Sequence, residues 1–204
     1  MKELIFRIVA ALFPYSFGRR IKNWGIQLYT QRIKNAIGYL GKFSLVEKPC
    51  LLQGGGEKKL TIGHHTRINA HAVIGLWTKF GSDTFEPEIK IGNNCNIGEY
   101  CHLSAINKIT IGDGLLTGRF VYIGDNSHGS LSWEEANIAP ESRKLITKGV
   151  IKIGNNVWIG DKVTILGGVT IGDNAIVGSN SVVTHDIPSN SSWAGIPAKE
   201  IKHL

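Results

Sequence analysis

The stretch IGDNSHGS, residues 123–130, holds the side chain best suited to chemistry. It opens like its neighbours, with an aliphatic residue, a glycine and two polar residues. It then places His128 where that pattern stops. An imidazole with a pKa of about 6.5 can take a proton from a reacting hydroxyl or amine near neutral pH, so His128 is a candidate general base. Asp125 and Asn126, just upstream, either orient that imidazole and position a substrate or serve as plain corner residues. His64, His65 and His71 fall at corner positions of the same pattern, as exposed turn residues do. His102 ends its own repeat immediately before Ser104's rung and remains a candidate.

The pattern that must position His128 is a repeat. From Ile153 the chain reads IGNNVW, IGDKVT, ILGGVT, IGDNAI, VGSNSV, with aliphatic residues at 153, 159, 165, 171, 177 and 183. Glycine follows at 154, 160, 172 and 178. A small or β-branched residue stands four after each aliphatic: Val157, Val163, Val169, Ala175 and Ser181. A helix advances about 100° per residue, so residues six apart drift by about 120° and cannot share one face. Short strands joined by Gly-polar corners can hold the period, each aliphatic stacking on the next coil. The same phase runs through Ile62, Ile68 and Ile74, then Ile91, Ile97 and Leu103, and after a two-residue slip Ile111, Thr117 and Ile123. The spacing predicts an all-β parallel β-helix of hexapeptide repeats over residues 46–190. Cys95 and Cys101 occupy small positions and read as core filler rather than ligands.

Two segments leave the period: LWTKFGSDTFEPEIK at 76–90 and HGSLSWEEANIAPESRKLITKG at 128–149. Insertions on a solenoid tend to lie on its working face, and His128 begins the second. Residues 1–45 carry eight Lys/Arg against the single acid Glu3, which accounts for the whole chain's +7. A body without net charge argues against a nucleic-acid groove. The basic segment 1–45 is expected to be helical and admits two readings that can coexist. It is either a surface helix attracted to anionic lipid or a helical cap on the solenoid with a solvated basic face. Its apolar start is interrupted by Arg7 and ended by Pro14, so no removed leader is expected. Three cysteines without a CxxC suit a reducing compartment and no structural metal.

Residues 154–202, GNNVWIGDKVTILGGVTIGDNAIVGSNSVVTHDIPSNSSWAGIPAKEIK, resemble the C-terminal part of the hexapeptide-repeat acyltransferases. The likeness is to the galactoside and maltose O-acetyltransferases and to bacterial polysaccharide O-acetyltransferases of the colanic-acid type. GDNSHG resembles their catalytic-histidine motif, and RKLITKGVIKIGNNVWIG their return from the active-site loop. The match covers residues 60–202, about two thirds of the chain. The resemblance implies a left-handed β-helix, a homotrimer, acetyl-CoA as co-substrate and His128 as the catalytic base. By position it places CoA along Trp158, Gly160, Asp161, Gly178, Ser179, Thr184, His185, Ala198 and Lys199, with the tail 191–204 closing the site. Asp161 stands where a small residue is common, His185 where lysine is, and Lys199 where arginine is. Ser104 and Arg143 join Asn126, Asp125 and His102 as candidates to hold the acceptor.

The function so implied is a cytoplasmic acetyl-CoA-dependent O-acetyltransferase acting on a sugar hydroxyl. Peripheral contact with the inner membrane face through residues 1–45 is expected. N-acetylation of an amino-sugar nucleotide needs the same base, and a non-catalytic binding scaffold uses the same coils. A carbonic anhydrase of the same fold needs three convergent histidines, and His128 has no histidine partner between 118 and 138. There is no G-x-S-x-G nucleophile, and QGGGEKK at 53–59 lacks the ending of a phosphate loop.

Overall fold

The computed structural model describes residues 2–12, 15–130 and 132–203. Pro14 and, in the second excursion, Leu131 lie outside the described residues. The hexapeptide period folds into a three-sided parallel solenoid. Its first face stacks Tyr39–Leu40, Leu60–Ile62, Glu88–Ile91, Lys108–Ile111, Ile151–Ile153 and Thr170–Ile171. The second stacks Leu45–Val46, Arg67–Ile68, Asn96–Ile97, Leu116–Thr117, Trp158–Ile159, Ile176–Val177 and Ser191–Gly195. The third stacks Cys50–Gln53, Ala72–Leu76, His102–Ala105, Tyr122–Gly124, Thr164–Leu166 and Val182–Val183. The tail turns back as Ala198–His203, antiparallel to Ser191–Gly195, and finishes the second face.

Aliphatic side chains of the face strands point inward and stack in register on their counterparts. Ile62, Ile91, Ile111, Ile153 and Ile171 line the inside of the first face. Burying each such side chain stabilises the fold by about 1.5–3 kcal/mol. The small positions complete the interior, with Cys95, Cys101, Val157, Val163 and Ala175 all buried. Burial raises the thiol pKa of all three cysteines, Cys50 to about 12, so they are inert filler. Glycine is required where coils touch: a methyl on Gly63 would sit 2.6 Å from the carbonyl carbon of Gly92 in the next coil.

The structure adds a coil that the sequence reading missed. The helical segment expected over 1–45 consists of α1 (Lys2–Leu12) and α2 (Tyr15–Ala36). Tyr39–Leu40 is already a strand of the first face, so the solenoid begins before residue 46. Leu40, Val46 and Leu52 keep the six-residue spacing, but Glu47 replaces the usual glycine after the aliphatic and Phe43 takes a corner at φ 61°. α2 seals this first coil. Ile26, Thr30 and Ile33 are buried along one side, Tyr29 Oη donates to the Cys50 carbonyl oxygen (2.6 Å), and the Val46 N–H donates to Thr30 Oγ1 (3.0 Å). Among the described residues no helix is long and apolar enough to cross a membrane.

Every lengthening of the coil leaves after the third face, at 53–59, 76–90, 106–107 and 128–149. The two-residue slip is held by Asp125, whose carboxylate accepts the Ile106 N–H (2.9 Å) and the Asn107 N–H (3.0 Å). Thr117 is the exception in the aliphatic column. Its Oγ1 accepts the Gly98 N–H (2.8 Å) in the buried interior. Thr117→Val would look like an improvement by pattern, yet it strands that N–H. Removing the partner of a buried donor costs about 1–3 kcal/mol, so the variant should unfold at lower urea than the parent. An unchanged or higher midpoint would show that the hydroxyl carries no structural role.

Candidate active site

The third face builds a cleft of about 410 Å³ where the excursions leave it. Gly75, Ser104 and Gly124 lie side by side in register at outward-facing positions. Two of these three positions lack a side chain, and the space goes to neighbouring aromatics. A methyl on Gly75 would lie 2.8 Å from Trp77 Nε1, and one on Gly124 would collide with the Tyr122 hydroxyl. Ser104 is buried at the floor, accepting from Trp77 Nε1 (3.2 Å) and from Asn126 Nδ2 (3.1 Å).

His128 stands at the rim. The chain leaves the third face as a strand, Asn126–His128, which pairs antiparallel with the returning Leu145–Thr147 and sets His128 opposite Leu145. The imidazole is exposed and meets Phe80 edge-on, ring centres 5.1 Å apart. Phe80 belongs to the first excursion, where Lys79–Phe80 pairs with Asp83–Thr84. Lys144 Nζ lies 3.9 Å from Asp83 Oδ1, so each excursion braces the other across the cleft. Trp77, Phe80, His102, Tyr122, Ser127 and Leu145 complete the lining with Ser104, Asn126 and His128.

His102 lies on the cleft wall, edge-on to Tyr122 at 5.4 Å. Its Nε2 is buried without a hydrogen-bond partner among the described residues, and burial lowers its pKa, which keeps the ring neutral. Asp125 is not brought into the cleft. It is buried, its carboxylate accepts from the Ile106 and Asn107 N–H groups and from Asn126 Nδ2 (3.3 Å), and desolvation raises its pKa against the lowering effect of these bonds. Arg143 is likewise turned aside, its Nε donating to the Ile138 carbonyl (2.9 Å) and its stem packed against Gly129. The sequence reading thus reached Ser104, His102, Asn126 and His128, and missed the aromatic walls. Their signal was Gly75 and Gly124, glycines inside strands where a neighbour approaches closely.

The residues assigned to CoA by resemblance fall into two strips. Trp158 is an exposed outward residue of the second face, in register between Leu116 and Ile176. Gly160, Asp161, Gly178 and Ser179 form the corner beyond it, where the Asp161 N–H donates to Ser179 Oγ (3.1 Å) and a methyl on Gly178 would lie 2.9 Å from Ala194 Cβ. Ala198 and Lys199 sit opposite Gly195 and Ala194 in the closing hairpin, Lys199 exposed. Thr184 and His185, joined by a 2.8 Å hydrogen bond, stand instead at the corner after the third face, two coils beyond Gly124. Among the described residues no group of three or more His, Cys, Asp or Glu converges as a metal site requires.

Residues 151–185 match the bacterial transferase hexapeptide (six repeats) family. The chain is 35% identical over 166 residues, 78% of each protein, to WbbJ of Escherichia coli (strain K12), whose name assigns it to O-acetyl transfer in lipopolysaccharide biosynthesis. The chain belongs to the hexapeptide-repeat acetyltransferases. The hexapeptide-repeat acetyltransferase VCA0836 of Vibrio cholerae, solved with acetyl-CoA, is 28% identical with a TM-score of 0.57, over 84% of this chain and 74% of that one. AntD of Bacillus cereus, an N-acyltransferase, superposes with a TM-score of 0.68 over 85% of this chain and 86% of that one, and at 19% identity it speaks for the fold alone. The architecture is the left-handed parallel β-helix of this family, and the acetyltransferase carries its cleft on the third face.

Two outcomes are expected at this site. Phe80→Ala should leave the coils intact and, by loosening the imidazole, lower turnover about tenfold with little change in substrate affinity. Steady-state kinetics checks this, and a change in KM alone would remove Phe80 from the positioning of His128. The second concerns pH. Since burial lowers the folded His102 pKa below its ordinary 6.5, the unfolded chain binds a proton where the folded chain does not. Stability therefore falls as pH drops from about 6.5 through the lowered value, and the loss is absent above that window. Wild type should lose urea stability more steeply between about pH 7 and 5 than His102→Phe, and parallel curves would contradict it.

Proposed function

We propose that this acetyltransferase moves an acetyl group from acetyl-CoA directly to a sugar hydroxyl, on a glycan or its lipid-linked precursor, with His128 as general base. The reading rests on the placement of His128 at the lip of a cleft with a cleared floor and aromatic walls. Such walls suit the apolar faces of a sugar ring, while Ser104 and Asn126 offer polar atoms to its hydroxyls. The name of the Escherichia coli relative favours a hydroxyl acceptor over an amine.

The acceptor oxygen attacks the thioester carbonyl carbon as the imidazole takes its proton. The tetrahedral intermediate collapses, the carbon–sulfur bond breaks, and the imidazolium returns the proton to the CoA sulfur. Oxygen ends acetylated and His128 ends neutral. Base catalysis of this kind supplies about 10²–10⁴-fold, and alignment of the two substrates supplies much of the rest. Acetyl-CoA is assigned to the two strips described above. One subunit keeps them on different sides of the prism, at the third-face corner and along the second face. A homotrimer joins them by setting the third-face corner of one subunit against the second face of the next. The enzyme works in the cytoplasm, peripherally at the inner membrane face.

Calorimetry with acetyl-CoA should give about one site per subunit in both wild type and His128→Ala. Thiol release in the presence of sugar acceptors should fall about 10²–10⁴-fold in the variant. Near-normal release would place the base elsewhere. A folded protein that ignores acetyl-CoA would be a scaffold. An alkali-stable product would mean an amide, hence an amino-sugar acceptor.

A further inference from the structure

The second helix carries two apolar stripes, and the solenoid covers only one. Ile26, Thr30 and Ile33 pack on the first coil. Ile21, Trp24 and Leu28 follow each other at helical spacing and, at about 100° per residue, point to the opposite side. All three are exposed, Trp24 at 73%. In α1 every described side chain is exposed, Leu4, Ile5 and Phe6 included. A helix that only capped the fold would be polar on its outer side.

Charge identifies what covers these surfaces. Lys2 and Arg7 in α1, with Lys22, Arg32 and Lys34 in α2, are exposed beside the apolar residues. The eight cations of residues 1–45 meet one acid, while the coils that follow have no net charge. Exposed apolar residues interleaved with cations fit the interface of an anionic bilayer, where the apolar face enters the acyl boundary and the cations meet lipid phosphates. A second copy of the segment fits poorly, because two surfaces of +7 repel.

We propose that α1 and the outer stripe of α2 form an anionic-lipid docking surface that sets the end of the β-helix on a membrane. This deepens the location given above by naming the surface and its partner, and it does not depend on the chemistry of His128. α2 packs on the first coil, and the cleft draws on the next three, through Trp77, Ser104 and Tyr122. With coils spaced about 4.8 Å apart, the docked enzyme holds its cleft roughly 5–15 Å beyond that first coil. That places it within reach of a sugar carried on a lipid.

The test is co-sedimentation of the full chain with vesicles of phosphatidylcholine alone or mixed with phosphatidylglycerol. Wild type should pellet with the mixed vesicles and be released by high salt. Trp24→Ser/Leu28→Ser and Lys22→Glu/Lys34→Glu should each lower partitioning at least about tenfold. Light scattering and acetyl-CoA calorimetry should match wild type in both, as all four substituted side chains are exposed. Equal pelleting of wild type and variants, no pelleting of wild type, or a lower oligomeric mass for Trp24→Ser/Leu28→Ser would each overturn the proposal. The last outcome would make the stripe a contact between subunits. Loss of acetyl-CoA binding in wild type with vesicle binding intact would instead remove the proposed chemistry and leave this surface standing.

Discussion

Each coil must hand its backbone hydrogen bonds to the coils on either side, and everything else in this protein yields to that requirement. The three faces are parallel sheets only a few residues wide, with pairing unbroken from Leu40 past Ile171 on the first face. A buried N–H without an acceptor costs as much as the burial of a small side chain gains. Extra residues can therefore enter only where the chain leaves one face and rejoins the next in the same register. Here they all use the corner after the third face. Even the shortest insertion, Ile106 and Asn107, needs a buried carboxylate to receive the two amides it frees.

The cleft follows from that choice of corner. Two long excursions that leave one edge of one face stand side by side, close enough for Phe80 to touch His128 and Lys144 to approach Asp83. The strands beneath them keep glycine, serine, glycine at the outward-facing positions, so the floor stays open while Trp77 and Tyr122 lie back along it. The wall also keeps the buried Nε2 of His102, which has no hydrogen-bond partner among the described residues. A stranded polar atom is expensive in a core and is found where function holds it.

The sequence made the solenoid legible because a six-residue period has no helical solution, and from Ile62 onward the period holds between the excursions and the slip. It hid the first coil, where Glu47 and Phe43 stand at positions that elsewhere hold glycine and asparagine. His128 was legible as the residue at which the period fails. The roles of Asp125 and Arg143 were not, because sequence proximity cannot say which way a carboxylate or guanidinium turns. Asp125 turns to the backbone of the neighbouring coil and Arg143 to its own loop. The aromatic walls come from distant segments of the chain, Trp77 and Phe80 standing 45 and 42 residues before Tyr122. No local pattern links them, and only the stacking of coils makes them neighbours.

The helical segment obeys a different economy from the coils. A solenoid end exposes unpaired strand backbone, an invitation to unwanted pairing, and α2 covers that end through Tyr29, Thr30 and Ile33. Covering it requires one apolar stripe. A second stripe on the far side, and a further helix with exposed apolar residues before it, add nothing to the cap and would lower solubility if left in water. Their retention beside eight cations and one acid is accounted for by a surface that is apolar and anionic at once. Under the proposed lipid docking, the two readings that the sequence allowed for residues 1–45 coexist: one side of α2 closes the β-helix, and the other meets lipid.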